Sequence, residues 1–398
     1  MIRPGVAAGG RASIARLSAQ ALDGQRDEAA LIARALSDPA SAPPAPASVD
    51  MSRLLATATR HRVLLLAGWL LRAAGRLIDW PSEFVEAFHR SERDAIAIDC
   101  LRHAELARVL EAMQAADLRV LLFKGAALAH THYPAPHLRP RADADLLAAS
   151  TEMPTVAKLL LRLGYARQNE ASGRLVSYQG HYVKVDRYGV AHALDVHWKI
   201  SNLQALADRI THEEVWRNRV GLAAFGASAS TAGDAHALLL ALVHRAGHHP
   251  GSRNLLWIYD LHRLATGLSA AGMGQVHDIA AARGLSSIAA DGLMLARDTF
   301  GTVGVEPLVE ALRAATPRRP EAIVVQGPWT LARLLRLDLA ALPGWRARAR
   351  LLREHLLPSP SYMRARYRVT SDLLLPSLYV WRVLAGAPKW LRRQTADD

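Results

Sequence analysis

The chain is 398 residues long, 51% hydrophobic and 21% charged, with a formal net charge of +13. That length can hold two or three domains with a sizeable core, and the single cysteine, Cys100, excludes a disulfide scaffold or thiolate zinc cluster and points to a reducing cytoplasm. The positive charge invites nucleic acid or an anionic membrane as partner, but the arginines are dispersed over helices, so nucleic acid is the lesser expectation.

Met1 to Gln20 is rich in Ala, Gly and Arg without a long apolar core, and reads as a disordered leader and not a signal peptide. Residues 21–117 form an N-terminal helical region. It holds a helix around Asp27 to Leu36, a Pro/Ala/Ser-rich linker over residues 37–49, and helices over 51–117 with Leu54, Ala58, Leu65, Trp69 and Leu70 among their apolar positions. Cys100 is expected to pack within these helices. The last of them, Leu101 to Asp117, carries Leu101, Ala104, Leu106, Val109, Leu110 and Met113 near helical spacing.

A core of mixed strands and helices follows over residues 118–202. Leu118 to Phe123 is a short buried strand that ends at Lys124-Gly125, and Ala126 to His130 is helical. A strand around Asp143-Ala144-Asp145-Leu146-Leu147 comes next. Gly180 to Asp186 and Val190 to Ile200 are strands flanking Arg187-Tyr188-Gly189, a hairpin turn. Residues 203–398 are a C-terminal helical region, with the stretch 203–275 helical and strongest from Ala235 to His249, and later helices broken at Gly327-Pro328, Pro343-Gly344 and Pro358 to Pro360. No stretch is long and apolar enough to span a bilayer. Leu373 to Leu384, with Trp390, Arg392 and Arg393 beyond it, has the flanks of an interfacial helix; a packed C-terminal helix is the preferred reading, with weak peripheral membrane contact as the other. The fold class is α+β, mostly helical, with a small mixed sheet at its centre.

Asp143 and Asp145 stand at i and i+2 of a strand, so both project from one face. Two adjacent carboxylates repel unless a cation lies between them, and hard oxygen ligands with open positions suit Mg²⁺, with Mn²⁺ as the alternative. Alone, Asp-x-Asp is a common strand-end pattern; its surroundings give it weight. Lys124-Gly125 places a cation and free backbone N–H groups at a helix start, where an anion is favoured. Asp195 lies in an apolar strand where an unpartnered carboxylate is costly, and it shares a face with His197; a cation or an arginine would relieve it. Asp186 is a weaker candidate at the turn. Arg139 and Arg141 just precede the acidic pair and either clamp phosphates or offset the carboxylates.

His244 and His248 share a helix face with His249 beyond them. Hydrogen-bonded structural histidines are the first reading. Contact with phosphate or acceptor is the second, and zinc ligation with Asp260 or His262 the third. There is no P-loop, Rossmann glycine fingerprint or nucleophile elbow.

The runs Leu121-Leu122-Phe123-Lys124-Gly125, Tyr133-Pro134, Arg139-Pro140, Asp143-Ala144-Asp145-Leu146-Leu147, Leu163-Gly164-Tyr165 and Asp195-Val196-His197-Trp198 resemble the uncharacterised nucleotidyltransferase family of the DNA polymerase β-like superfamily. Glu214-Val215-Trp216, His244, His248 and Trp257-Ile258-Tyr259-Asp260-Leu261 continue the likeness, which extends over most of residues 25–370. The resemblance implies two metal ions on three acidic residues and transfer of a nucleoside monophosphate from an NTP to a hydroxyl of a small molecule, peptide or protein. Asp143 and Asp145 would then be metal ligands, and Asp195 a third that activates the acceptor. Lys124, Gly125, Arg139, Arg141, His197, His244 and His248 would contact substrate. The superfamily usually has Gly-Ser where this chain has Lys124-Gly125, so lysine and backbone amides replace a hydroxyl. Alternatives are a toxin-like transferase acting on tRNA or protein, and a non-catalytic NTP-binding module.

Overall fold

The computed structural model describes residues 28–40, 49–168, 173, 175–315 and 330–391. The expected leader lies outside the described residues, as does most of the 37–49 linker. Contacts divide the chain into two compact units, Met1–Ile96 with His137–Pro140, and Ala97–Pro136 with Arg141–Asp398.

The first unit is helical. Helix α1 covers residues 28–37, α2 is Met51–Arg60 and α3 is Leu64–Ala73. The Asp50 side chain caps α2 by accepting from the Arg53 N–H, and Glu28 pairs with Arg53. Helix α4, Ser82–Ala115, begins here; Arg72 of α3 meets Glu92 through two parallel hydrogen bonds of 2.8 and 2.7 Å. Gly68 lets the two helices meet closely, since a Cβ there would lie 2.2 Å from the Phe88 ring. The helix expected from Leu101 is thus the last part of a much longer one, and Cys100 on it is exposed, not packed.

The second unit is built on a five-stranded sheet of β1 (Leu121–Phe123), β2 (Asp143–Leu147), β3 (Ala166–Arg167), β4 (Gln179–Val185) and β5 (Ala191–His197) in the order β1-β2-β5-β4-β3. The β2–β5 pair is parallel and the others antiparallel, so the sheet is mixed. Ala144, Leu146, Leu194 and Val196 join Leu106, Leu110 and Met113 in its hydrophobic core. Helix α5 (Lys124–Thr131) follows β1 directly, and α6 (Met153–Arg162) lies between β2 and β3.

Beyond the sheet come α7 (Gln204–Ala207), α8 (His212–Arg217), β6 (Arg219–Gly221), β7 (Ser230–Ala232), α9 (Asp234–His248) and α10 (Leu255–Thr266). The β6–β7 pair corrects the all-helical expectation for residues 203–275: Gly226, at φ 64°, lets the chain turn back between the strands, and β7 packs beside β1. Helices α11 (Ala270–Arg283), α12 (Ser286–Phe300) and α13 (Glu306–Ala314) complete the packing around α9 and α10.

The last described helices are α14 (Leu331–Ala341), α15 (Gly344–Leu356), α16 (Pro360–Tyr367) and α17 (Leu375–Leu391). The expectation of a packed C-terminal helix holds only in part. Leu375 is buried and Tyr379 Oη donates to the Pro358 carbonyl, but Val380, Trp381 and Leu384 are exposed. No helix among the described residues is long and apolar enough to cross a membrane.

Candidate active site

Parallel pairing of β2 with β5 sets Asp145 opposite Asp195 and Leu147 opposite His197, while Phe123 of β1 faces Asp145 from the other side. Alternation sends Ala144, Leu146, Leu194 and Val196 to the core, so Asp143, Asp145, Asp195 and His197 share the opposite face. Three of these converge: one donor atom each from Asp145, Asp195 and His197 lies within 4.8 Å of the other two. Asp143, two residues earlier and opposite Ala193, stands beside this group, not within it.

Lys124 belongs to the same group. Its Nζ lies 2.8 Å from Asp145 Oδ1 and 3.2 Å from His197 Nε2, and His197 Nε2 is 2.9 Å from Asp145 Oδ1. Lys124 and Asp145 are 9% and 13% exposed, so the pair is poorly screened. Burial alone would raise the Asp145 carboxyl. The Lys124 charge and the hydrogen bonds from His197 and Lys124 overcome that and hold it well below the usual carboxylate range. Burial, and then the Lys124 charge, lower His197 against the pull of Asp145, so its ring is neutral near pH 7.

The Lys124 backbone is itself unusual. Its φ of 51° is left-handed, a conformation that costs a side-chain-bearing residue about 1–2 kcal/mol. It opens α5, and Phe123 before it gives no side-chain cap, which leaves the first N–H groups of α5 for another acceptor. Gly125, the next residue, is buried. In this structure Lys124 turns its ammonium toward the carboxylates and supplies the cation that they require.

Asp195 is met by two partners that the sequence reading did not single out. His181 Nδ1 of β4 is hydrogen-bonded to Asp195 Oδ1, and Gln179 Nε2 donates to Oδ2 at 3.3 Å. The signal was present in the hairpin: with a turn at residues 187–189, antiparallel pairing carries His181 opposite Asp195. Asp186 is occupied at that turn by His192 and the Tyr188 and Val190 N–H groups.

The two arginines separate. Arg141 pairs with Asp99 at 2.6 Å and donates to the Pro136 carbonyl; it also lines a small cavity shared with Asp143. Arg139 is buried within the first unit.

His244 and His248 stack with ring centroids 5.0 Å apart, and the His244 Nδ1 and His248 Nε2 atoms are buried without a hydrogen-bond partner. That departs from the first reading of hydrogen-bonded structural histidines. The zinc partners imagined for them are engaged elsewhere, Asp260 by Tyr133 Oη and His262 by Thr302.

Asp143 carries a separate consequence. Burial, followed by the charges of Asp145 and Asp195, pushes its carboxyl up to about 6. Between the ordinary carboxylate range and that value the folded chain keeps a proton that the unfolded chain has released, so this group's contribution to stability falls as pH rises. Asp143→Asn is expected to stabilise the metal-free protein by roughly 1–3 kcal/mol above pH ~6 and to give no gain below pH ~4. Thermal unfolding at the two pH values checks this; an equal gain at both would assign the effect to something other than charge.

The donor set fits a divalent ion. Two carboxylates and an imidazole converge, their opposite face is dry core, and two carboxylate oxygens are the hard ligands that Mg²⁺ and Mn²⁺ prefer. Among curated proteins none matches the chain. A family model described as "uncharacterised nucleotidyltransferase" matches residues 47–301, a span that includes Lys124, every acidic residue of the site, and His244 and His248. The chain therefore belongs to the uncharacterised nucleotidyltransferase family and is a transferase of phosphorus-containing groups.

Proposed function

We propose that the protein transfers a nucleoside monophosphate from an NTP to a hydroxyl of a small-molecule, peptide or protein acceptor, with Asp143, Asp145 and Asp195 as ligands of two divalent ions. The observation that carries this reading is the register of β2 against β5, which opposes Asp145 and Asp195 within a nucleotidyltransferase chain. When bound there, divalent ions neutralise charge on the triphosphate and lower the pKa of the attacking hydroxyl.

The protein's own groups divide the remaining work. Asp195 receives the proton of the acceptor hydroxyl, held in place by His181 and Gln179. The acceptor oxygen bonds to the α-phosphorus, the bond from that phosphorus to the bridging oxygen breaks, and pyrophosphate leaves. Lys124 and the uncapped N–H groups of α5 face the phosphate oxygens. His197 holds Asp145 from behind, so that Asp145 keeps an anchor when Lys124 turns from the carboxylate to the nucleotide.

Incubation with α-labelled NTPs and Mg²⁺ or Mn²⁺ is the test. Label transfer, or slow release of pyrophosphate, is expected from the wild type and is lost in Asp143→Asn and Asp145→Asn. A wild-type protein that neither binds any NTP nor changes its melting temperature with NTP and Mg²⁺ would overturn the reading.

A further inference from the structure

Helix α17 packs against α14 and α16 with its polar side inward and an apolar side outward. Leu375, Tyr379 and Arg382 share the inward side. Leu375 is buried, Tyr379 Oη donates to the Pro358 carbonyl, and the Arg382 guanidinium lies 5.6 Å from the centre of the Tyr362 ring. Val380, Trp381 and Leu384, spaced by three and four residues, share the opposite side and are 60%, 60% and 65% exposed. Leu373, in the turn that leads into the helix, is 90% exposed. Single exposed apolar residues are ordinary on a protein surface, whereas a continuous stripe of them along one helix side marks an interaction surface.

Charge decides what covers the stripe. Residues 330–391 contain eleven Lys and Arg against three Asp and Glu, so this segment supplies +8 of the chain's net +13. Arg353, Arg366 and Arg368 are exposed and enter no ion pair among the described residues. A second copy of the chain would set like charge against like charge. Nucleic acid would answer the charge but not the stripe, since Val380 and Leu384 offer neither a hydrogen bond nor a stacking face. An anionic lipid bilayer answers both, with headgroup phosphates for the arginines and the headgroup–acyl boundary for Trp381 and its aliphatic neighbours. No described helix is long and apolar enough to cross a membrane, so the fitting geometry is a helix lying in the plane of the interface.

We propose that α17 seats the protein on an anionic phospholipid surface, with Val380, Trp381 and Leu384 entering the headgroup–acyl boundary and the surrounding arginines meeting the phosphates. The segment lies beyond residues 47–301, the span matched by the family model. The anchor is therefore a property of this chain's C-terminal helices and stands independently of the chemistry at the acidic site.

The experiment is flotation of the full chain with vesicles of phosphatidylcholine alone and of phosphatidylcholine mixed with phosphatidylglycerol. Binding is expected on the anionic vesicles at ~0.1 M salt, and roughly tenfold or more weakly on the neutral ones or in ~1 M salt. The Val380→Ser/Trp381→Ser/Leu384→Ser variant should bind the anionic vesicles roughly tenfold or more weakly, because its apolar stripe is gone. Its melting temperature should match the wild type, since the three side chains are exposed in the free protein. Val303→Ser, an exposed change between α12 and α13, should bind as the wild type does. Phospholipids brominated in their acyl chains should quench the tryptophan fluorescence of the wild type more than that of Trp381→Phe, a readout that needs no loss of binding. No binding of the wild type to anionic vesicles, equal binding to neutral ones, undiminished binding of the triple variant, or equal quenching in Trp381→Phe would each overturn the proposal. So would a wild type that binds RNA and not vesicles, or a wild-type dimer that the triple variant dissolves while the vesicles stay bare.

Discussion

Lys124→Ala is expected to destabilise the metal-free protein by about 3–5 kcal/mol at neutral pH, because it strands the Asp145 carboxylate in a site that is nearly closed to water. The sign follows from the direction of the Asp145 shift. Its carboxyl is held below the usual range, so the pair stabilises the fold above that range and the contribution is lost as acid protonates the group. The gap between wild type and variant should therefore narrow as pH falls below ~4. Mn²⁺ should restore much of the loss, since a bound cation replaces the ammonium as partner. Lys124→Gly should be more stable than Lys124→Ala by about 1 kcal/mol, because the left-handed backbone of this residue suits glycine. Chemical denaturation of the three proteins with and without Mn²⁺ checks all of this. A Lys124→Ala loss below ~1 kcal/mol would mean that the pair is no better than a surface ion pair.

The second large effect is on catalysis. Asp145→Asn and Asp195→Asn are each expected to lower transfer by on the order of a thousandfold, about 4 kcal/mol of transition-state stabilisation. His181→Asn touches Asp195 without lying in the three-residue donor group, and should cost roughly 10–100-fold. The Asp145 and Asp195 variants should also differ in stability. Asp145→Asn leaves Lys124 without its anion in a buried site, whereas Asp195→Asn leaves a neutral amide beside His181 and Gln179. Single-turnover rates with labelled NTP, measured alongside melting temperature, separate the two effects. Equal activity of Asp195→Asn and wild type would remove Asp195 from the proton transfer.

Much of this site could be read from local pattern. Alternation placed Asp143 with Asp145, and Asp195 with His197, because strand side chains repeat every two residues whatever the strand pairs with. The glycine turn at 187–189 marked the β4–β5 hairpin, and counting outward from Val185 opposite Ala191 reaches His181 opposite Asp195. The mostly helical α+β class followed from the periodicity of the long apolar stretches on either side. Short strands were harder: β6 and β7 have three residues each, too few for a period to show within a helical stretch.

Other features depended on contacts between distant segments. Which acidic side chains share a strand face, and where a cation and free N–H groups begin a helix, are legible in the order of the amino acids. Long-range packing decided that β2 lies parallel to β5 and brings Asp145 to Asp195. It also decided that Lys124 turns inward to Asp145 instead of outward, that Arg141 is taken by Asp99, and that two ring nitrogens of α9 are buried without partners. The physical reason is that side-chain direction along a strand or helix is a local property of the backbone. The partner that a buried charge or ring nitrogen finds, or lacks, is set by segments far away in the chain that the fold brings alongside.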